Sequence, residues 1–264
     1  METKFTSASP KIAFSDSGAS DIALLMMPGW CANRTAFEPV TPLLSKHYRV
    51  LSMDWRSHGG SEIFDGDFGS DQLLEDALAV ISNSGASKII PVATAHAGWI
   101  AIKLREKLKK AVSKIILIDW MVFDAPPPFL EGLKAMQQPN MVEIIREMIF
   151  ETWLKGVDDK RIIGFVRGEM ASYNREMWMR AAREILNAFA ENGTPLKAIS
   201  GFSEKPEVLH IYGQPPDPDY LEAQINFSKL NTWFSVYKLN TQSHFPTLEN
   251  PEEVSQQILH FLKN

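Results

Sequence analysis

Seven short apolar runs, spaced along the chain, constrain its fold more than any other feature. They are Lys11 to Phe14, Ala23 to Met27, Tyr48 to Met53, Lys88 to Ala93, Ser113 to Asp119, Glu207 to Tyr212 and Trp233 to Lys238. Several are apolar almost without a break, as strands covered on both faces of a sheet must be. Between them lie stretches of helical spacing at Ala36 to Leu44, Gln72 to Ser82, His96 to Leu108 and Glu252 to Leu262. The last follows Asn250-Pro251, a helix start with proline in the first turn. Strand and helix in alternation predict an α/β fold with a mostly parallel central sheet and helices on both faces. The 264 residues suit one large domain of that kind.

The alternation fails between Asp124 and about Leu196. Pro126-Pro127-Pro128 ends the strand-and-loop pattern, and helical segments follow with no strand between them. Met136, Met141, Ile144, Ile145, Met148, Ile149, Trp153 and Leu154 form one apolar stripe. Asn174 to Ala190 carries another, with Met177, Trp178, Ile185, Leu186 and Phe189. Stripes of this kind are mostly core packing. Residues 124–196 therefore read as a helical cap inserted into a core made of residues 1–123 and 197–264. Such a cap would cover the carboxyl edge of the sheet, where open α/β folds bind ligands.

Within the core, Lys88 to Trp99 reads as a strand, a sharp turn and the start of a helix. The turn has the frame Ala93-Thr94-Ala95-His96-Ala97, small residues at both ends. It resembles the nucleophile elbow of α/β-hydrolases, small-x-nucleophile-x-small, but Ala95 stands where the nucleophile belongs. Alanine has no lone pair, so acyl-enzyme chemistry through this residue is excluded. A tight strand-to-helix turn alone proves little, but three further motifs fall in hydrolase order. Met27-Pro-Gly-Trp30 ends an early strand, where one oxyanion-hole amide is expected; the residue after the apex, His96, supplies the other. Asp54-Trp-Arg-Ser-His-Gly-Gly-Ser61 resembles the Asp-x-Arg-Gly-x-Gly-x-Ser loop of these folds. Ser243-His-Phe-Pro246 lies after the last strand, where the fold carries its histidine.

A lone histidine is more often a packing residue than a catalytic one, and His47, His58, His210 and His260 read that way. His244 differs by its place on a loop at the carboxyl edge, and an ordinary imidazole titrates where a base must work near neutrality. Its orienting acid has two candidates. The commonest arrangement nominates Asp217 or Asp219 after the next-to-last strand, in a proline-rich stretch that otherwise reads as a surface turn. Asp119 instead ends the strand Lys114-Ile-Ile-Leu-Ile-Asp119, and a carboxylate ending a buried strand needs a partner. Asp119 is favoured. His96 follows the elbow apex, while Trp30, Trp153 and Trp178 could wall a planar aromatic substrate. Any one of them alone reads as core.

Composition closes other routes. Net charge is −5, and no run of Lys or Arg exceeds a pair, as at Lys109-Lys110, so neither nucleic acid nor an anionic membrane has a footprint. No apolar run approaches a transmembrane length, and the first residues lack a signal-peptide pattern. The single cysteine, Cys31, cannot form an internal disulfide, and with the other features predicts a cytoplasmic protein. Histidine spacing suggests no metal site, and no glycine-rich nucleotide loop is present.

Pro28-Gly-Trp-Cys31, Asp54-Trp-Arg56, Pro91 to Trp99, Ile118-Asp-Trp120 and Ser243-His-Phe-Pro246 together resemble the cofactor-independent 3-hydroxy-4(1H)-quinolone 2,4-dioxygenases. The likeness continues through Thr152-Trp153-Leu154 and Glu176-Met-Trp178, so it spans nearly the whole chain. Tryptophan after the elbow glycine and after the strand-end Asp make it fairly specific. The resemblance implies the α/β-hydrolase fold, no metal or organic cofactor, and O₂-dependent ring cleavage that releases carbon monoxide and an N-acylanthranilate. It implies that His244 takes the substrate's 3-hydroxyl proton and that Asp119 orients His244. It further implies that Trp30 and His96 line the oxyanion side, while Trp153 meets the ring from the cap. The family carries serine where this chain has Ala95. Since the chemistry begins with a proton, activity is expected to survive that departure, with Ala95 simply lining the substrate site. An apolar cap favours 2-alkyl substrates, the heptyl signal molecule among them. Two rivals compete: an esterase-like hydrolase or lyase on the same scaffold, and a non-catalytic receptor for a small ligand.

Overall fold

A computed structural model describes residues 2–263. Strands β1 (Lys4–Phe5), β2 (Ala13–Ser17) and β3 (Ile22–Met27) come first, followed by a 3₁₀ turn at Arg34–Phe37 and the one-turn helix α1 (Thr41–Leu44). The pattern then runs β4 (Arg49–Met53), α2 (Ser70–Ser84), β5 (Lys88–Thr94), a 3₁₀ turn at Ala95–Ala97, α3 (Gly98–Leu108) and β6 (Lys114–Ile118). Next come only helices: α4 (Pro127–Met136), α5 (Val142–Trp153), α6 (Lys160–Gly164) with a π-helical turn at Phe165–Glu169, α7 (Arg175–Asn192) and α8 (Pro195–Ser200). The chain returns to the sheet with β7 (Glu207–Tyr212), α9 (Pro218–Leu230), β8 (Phe234–Lys238), α10 (Pro246–Glu249) and α11 (Pro251–Lys263).

One eight-stranded sheet results, in the order β1-β2-β4-β3-β5-β6-β7-β8. Pairing is antiparallel only where β2 meets β1 and β4; the remaining neighbours are parallel. The near-continuous apolar runs lie at its centre. Residues 24–27 of β3 and 115–118 of β6 have no exposed surface, because helices cover both faces of a parallel sheet. Packing decides one glycine: a Cβ on Gly98 would sit 2.2 Å from the Trp120 ring. That opening lets Trp120, just after β6, lie against the start of α3. No helix among the described residues is long and apolar enough to cross a membrane.

Three elements differ from the sequence expectation. The helix expected from Ala36 to Leu44 divides into the 3₁₀ turn and α1, since Pro39 and Pro42 each remove a backbone donor. The proline-rich stretch around Asp217 is a helix start rather than only a surface turn. The Asp217 side chain accepts from the Asp219 amide at 2.9 Å and caps α9, with Pro218 in its first turn. β1 has two residues, too few for any periodicity to register.

Candidate active site

β6 ends one residue before Asp119, which has φ +50° and is 2 % exposed. A left-handed conformation at a non-glycine residue costs on the order of 1–3 kcal/mol and persists only where surrounding contacts impose it. Here Oδ1 accepts the amides of Gly213 at 2.6 Å and Gln214 at 3.0 Å, both just beyond β7. Oδ2 is left for His244, whose Nδ1 lies 2.5 Å away. A carboxylate can only accept, so His244 carries its proton on Nδ1 and presents a lone pair at Nε2. Trp153, at the end of α5, stacks on the His244 ring at 5.1 Å and 14°. The cap thus reaches the core at His244 itself.

The loop bearing His244 is bound from two sides. The Glu249 carboxylate accepts the amides of Gln242 and Ser243 at 2.6 and 2.8 Å, and the Ser243 hydroxyl at 2.5 Å. Ser243 Oγ in turn accepts the Phe245 amide at 3.1 Å. From β7, the Gln214 side-chain amide donates to the carbonyls of Thr241 and Gln242, both at 3.0 Å. Gln214 therefore ties Asp119 and the His244 loop together. Sequence reasoning missed both Gln214 and Glu249. The partners of the Gln214 side chain lie 27 and 28 residues away. Glu249, only six or seven residues from its partners, sits in a loop-to-helix turn without periodicity.

The elbow keeps the hydrolase geometry without its nucleophile. Ala95 has φ +47°. The Pro28-Gly-Trp-Cys31 loop lies against it, and a Cβ at Gly29 would sit 3.4 Å from the Ala95 methyl. Three contacts fix that loop. The Trp55 indole donates to the Pro28 carbonyl at 2.7 Å, Thr94 Oγ1 accepts the Gly29 amide at 3.1 Å, and His58 Nε2 accepts the Cys31 amide at 3.2 Å. Cys31 itself has φ +53°. The Trp30 amide, flanked by these anchored groups, takes no part in them. His58, read from sequence as structural, shapes this oxyanion-side loop. Its Nδ1 donates to the Arg56 carbonyl at 2.9 Å, and burial pulls its pKa down to about 4, so it stays a neutral acceptor for Cys31.

His96 follows Ala95 and is wrapped in rings. It stacks on Phe129 at 5.8 Å and meets Trp120 and Phe189 edge-on. The Trp120 indole donates to His96 Nδ1 at 3.2 Å, which places the His96 proton on Nε2. Burial, with a smaller contribution from the charge of His244, pulls His96 down to about 3. His96 is thus a fixed neutral donor, and it lies within electrostatic reach of His244. Trp30 stacks on Phe68 at 6.0 Å. Trp178 is set further back: its ring meets Phe150 edge-on at 5.5 Å, Phe150 meets Trp153 at 6.2 Å, and the Trp178 indole N–H has no partner. The structure brings together Asp119, His244 and Trp153 on one side, and Trp30, Ala95 and His96 on the other.

This arrangement can remove a proton and hold a developing oxyanion. It holds no hydroxyl placed to attack: Thr94 Oγ1 is engaged with the Gly29 amide and Ser243 Oγ with Glu249. Among the described residues, no group of three or more His, Cys, Asp or Glu is arranged to hold a metal ion.

The family model for the alpha/beta hydrolase family matches residues 24–257. The 1H-3-hydroxy-4-oxoquinoline 2,4-dioxygenase of Pseudomonas putida is 35% identical over 254 residues, covering 96% of each chain. A 2-heptyl-3-hydroxy-4-quinolone dioxygenase of Rhodococcus erythropolis is 31% identical, covering 91% of this chain and 86% of its own. Among solved structures, 1H-3-hydroxy-4-oxoquinoline 2,4-dioxygenase superposes with a TM-score of 0.93 at 34% identity, covering 99% of this chain and 100% of that one. The esterase from Exiguobacterium antarcticum has a TM-score of 0.79 at 17% identity, a likeness of fold alone, covering 100% of both chains.

Proposed function

The chain belongs to the α/β-hydrolase family and, within it, to the 3-hydroxy-4-quinolone 2,4-dioxygenases; from that premise we propose that it cleaves 3-hydroxy-4(1H)-quinolones with O₂ and that His244 is its base. The observation that carries this reading is the 2.5 Å contact between His244 Nδ1 and Asp119 Oδ2, set beside an elbow whose apex is Ala95. A base is present where no nucleophile stands. His244 Nε2 takes the 3-hydroxyl proton, and Asp119 stabilises the imidazolium that forms. The resulting anion is electron-rich and passes an electron to O₂, so the substrate itself serves as reductant. Recombination gives a peroxide at C2, whose outer oxygen attacks the C4 carbonyl. The amides of Trp30 and His96 receive the developing oxyanion. Cleavage of the O–O, C2–C3 and C3–C4 bonds expels C3 with its oxygen as carbon monoxide. One atom of O₂ stays on the new acyl carbonyl and the other on the carboxylate of the N-acylanthranilate. The proton held by His244 returns to the product.

Trp30, Trp153 and His96 supply the aromatic walls for the bicyclic ring, with Ala95 beneath it and Trp178 behind. The apolar cap side chains, Leu133, Met136, Phe150, Met170 and Met177 among them, favour a 2-alkyl substituent such as heptyl. We place the reaction in the cytoplasm, in keeping with a single buried thiol. Incubation with 2-heptyl-3-hydroxy-4(1H)-quinolone under ¹⁸O₂ tests the activity. Carbon monoxide and a doubly labelled N-octanoylanthranilate are expected, and binding without either product would instead make the chain a receptor.

A further inference from the structure

Behind the oxyanion side of the site lies a cavity of about 10 Å³, bounded by Trp30, Trp55, Leu73, His96, Trp99 and Ile185 among others. That is room for one water-sized molecule and far too little for a bicyclic ring. An open surface groove of about 510 Å³ runs between the start of α2 and one face of α7. Ser70, Trp99 and Glu184 line both spaces, so one thickness of side chain divides them.

Beside the core ring of Trp99, that partition is held by hydrogen bonds. Glu184 accepts from the Ser70 amide at 2.8 Å, from its hydroxyl at 3.3 Å and from Arg183 Nε at 3.0 Å. Arg183 and Arg180 also reach Asp67, at 3.0 and 3.1 Å, and Asp67 is largely exposed. Side chains near solvent rearrange on picosecond to nanosecond timescales, fast against any turnover.

We propose that the cavity and its Glu184 partition form a route for dioxygen, separate from the entry used by the ring; the inference rests on the dioxygenase reading above. Deprotonation precedes oxygen in that reading, so O₂ must reach a site already filled by substrate. A narrow route ending beside Trp30 and His96 delivers it without displacing the ring. The cavity admits nothing larger than a water-sized molecule, and its wall is mixed: Leu73, Ile185 and the aromatic rings meet the polar side chains of Ser70 and Glu184. A trapped water, held by the Trp99 indole N–H that otherwise lacks a partner, is the rival occupant.

The test is a size series at Ile185, which takes no part in the proposed chemistry: Ile185→Phe narrows the cavity and Ile185→Ala widens it. Two readouts are taken on each folded variant: anaerobic formation of the bound quinolone anion, and steady-state rate against dissolved O₂. The expected result is an unchanged anion in all three proteins, with KM for O₂ raised several-fold by Phe and lowered by Ala. Equal O₂ dependence across the series, in active enzyme, overturns the route and leaves a water cavity. Should Ile185→Phe fail to fold, the Ile185→Ala comparison decides alone. Absence of anion and of O₂ uptake in the unmodified protein overturns the dioxygenase reading as well, and so differs from failure of the route.

Discussion

The base arm and the elbow sit at neighbouring strand ends of one sheet, yet they have diverged. Both retain backbone strain, φ +50° at Asp119 and +47° at Ala95. At the base arm the strain aims a functional group: Asp119 is locked by two amides and hands its free oxygen to His244. At the elbow the strained residue carries only a methyl group. Its geometry is still useful, because the turn also positions the next amide and the ring of His96. On the proposed mechanism, this α/β-hydrolase scaffold contains two separable devices, a proton acceptor and an oxyanion cradle. Only acyl transfer needs the nucleophile between them.

Variants can break this contrast, starting with the largest effect. His244→Ala is expected to lower kcat by about 10³-fold, within the usual range for a general base, and rapid-quench turnover measures it. Asp119→Asn keeps the size of the side chain but loses the charge that holds the tautomer and steadies the imidazolium. A loss of roughly 10²-fold is expected, read from the same assay with KM for the quinolone near the parent value.

Acid tests both arms at once. His58 beneath the oxyanion loop and His210 behind Asp119 are each pulled to about 4, chiefly by burial. An unfolded histidine titrates near 6.5, so between about pH 6.5 and 4 the unfolded chain binds protons that the folded chain refuses. Stability therefore falls as pH drops through that window and is fully present above it. Thermal melts from pH 8 to 4 should show the decline, and His210→Gln should flatten it.

Trp153→Ala removes the face stacked on His244. An aromatic contact of about 0.5–1.5 kcal/mol corresponds to roughly a two- to twelvefold loss in kcat/KM. Ala95→Ser should matter least, changing kcat by about twofold or less and conferring no sustained ester turnover. A large gain on restoring serine would mean that the two devices are not separable.

Much of this was legible in the sequence, and the exceptions have a physical pattern. The buried strands announced themselves because a parallel strand must be apolar on both sides. The elbow was readable because a tight strand-to-helix turn demands small residues at fixed spacing. Asp119 could be nominated because a charge at a buried strand end needs a partner. By contrast, α9 was obscured by prolines that begin a helix as readily as they make a turn. Gln214, Glu249 and the bond from His58 to the Cys31 amide were invisible. Each depends on contacts between loops distant in the chain or on a cap that no periodicity records. Trp178, a candidate wall by sequence, meets Trp153 only through the intervening ring of Phe150.

The most direct test of the central claim is the spectrum of 2-heptyl-3-hydroxy-4(1H)-quinolone mixed anaerobically with the protein, its Ala95→Ser variant and its His244→Ala variant, at one pH. The bound anion is expected with the first two and the neutral quinolone with the third. Neutral quinolone on the unmodified protein, or an equal anion on His244→Ala, would contradict that claim.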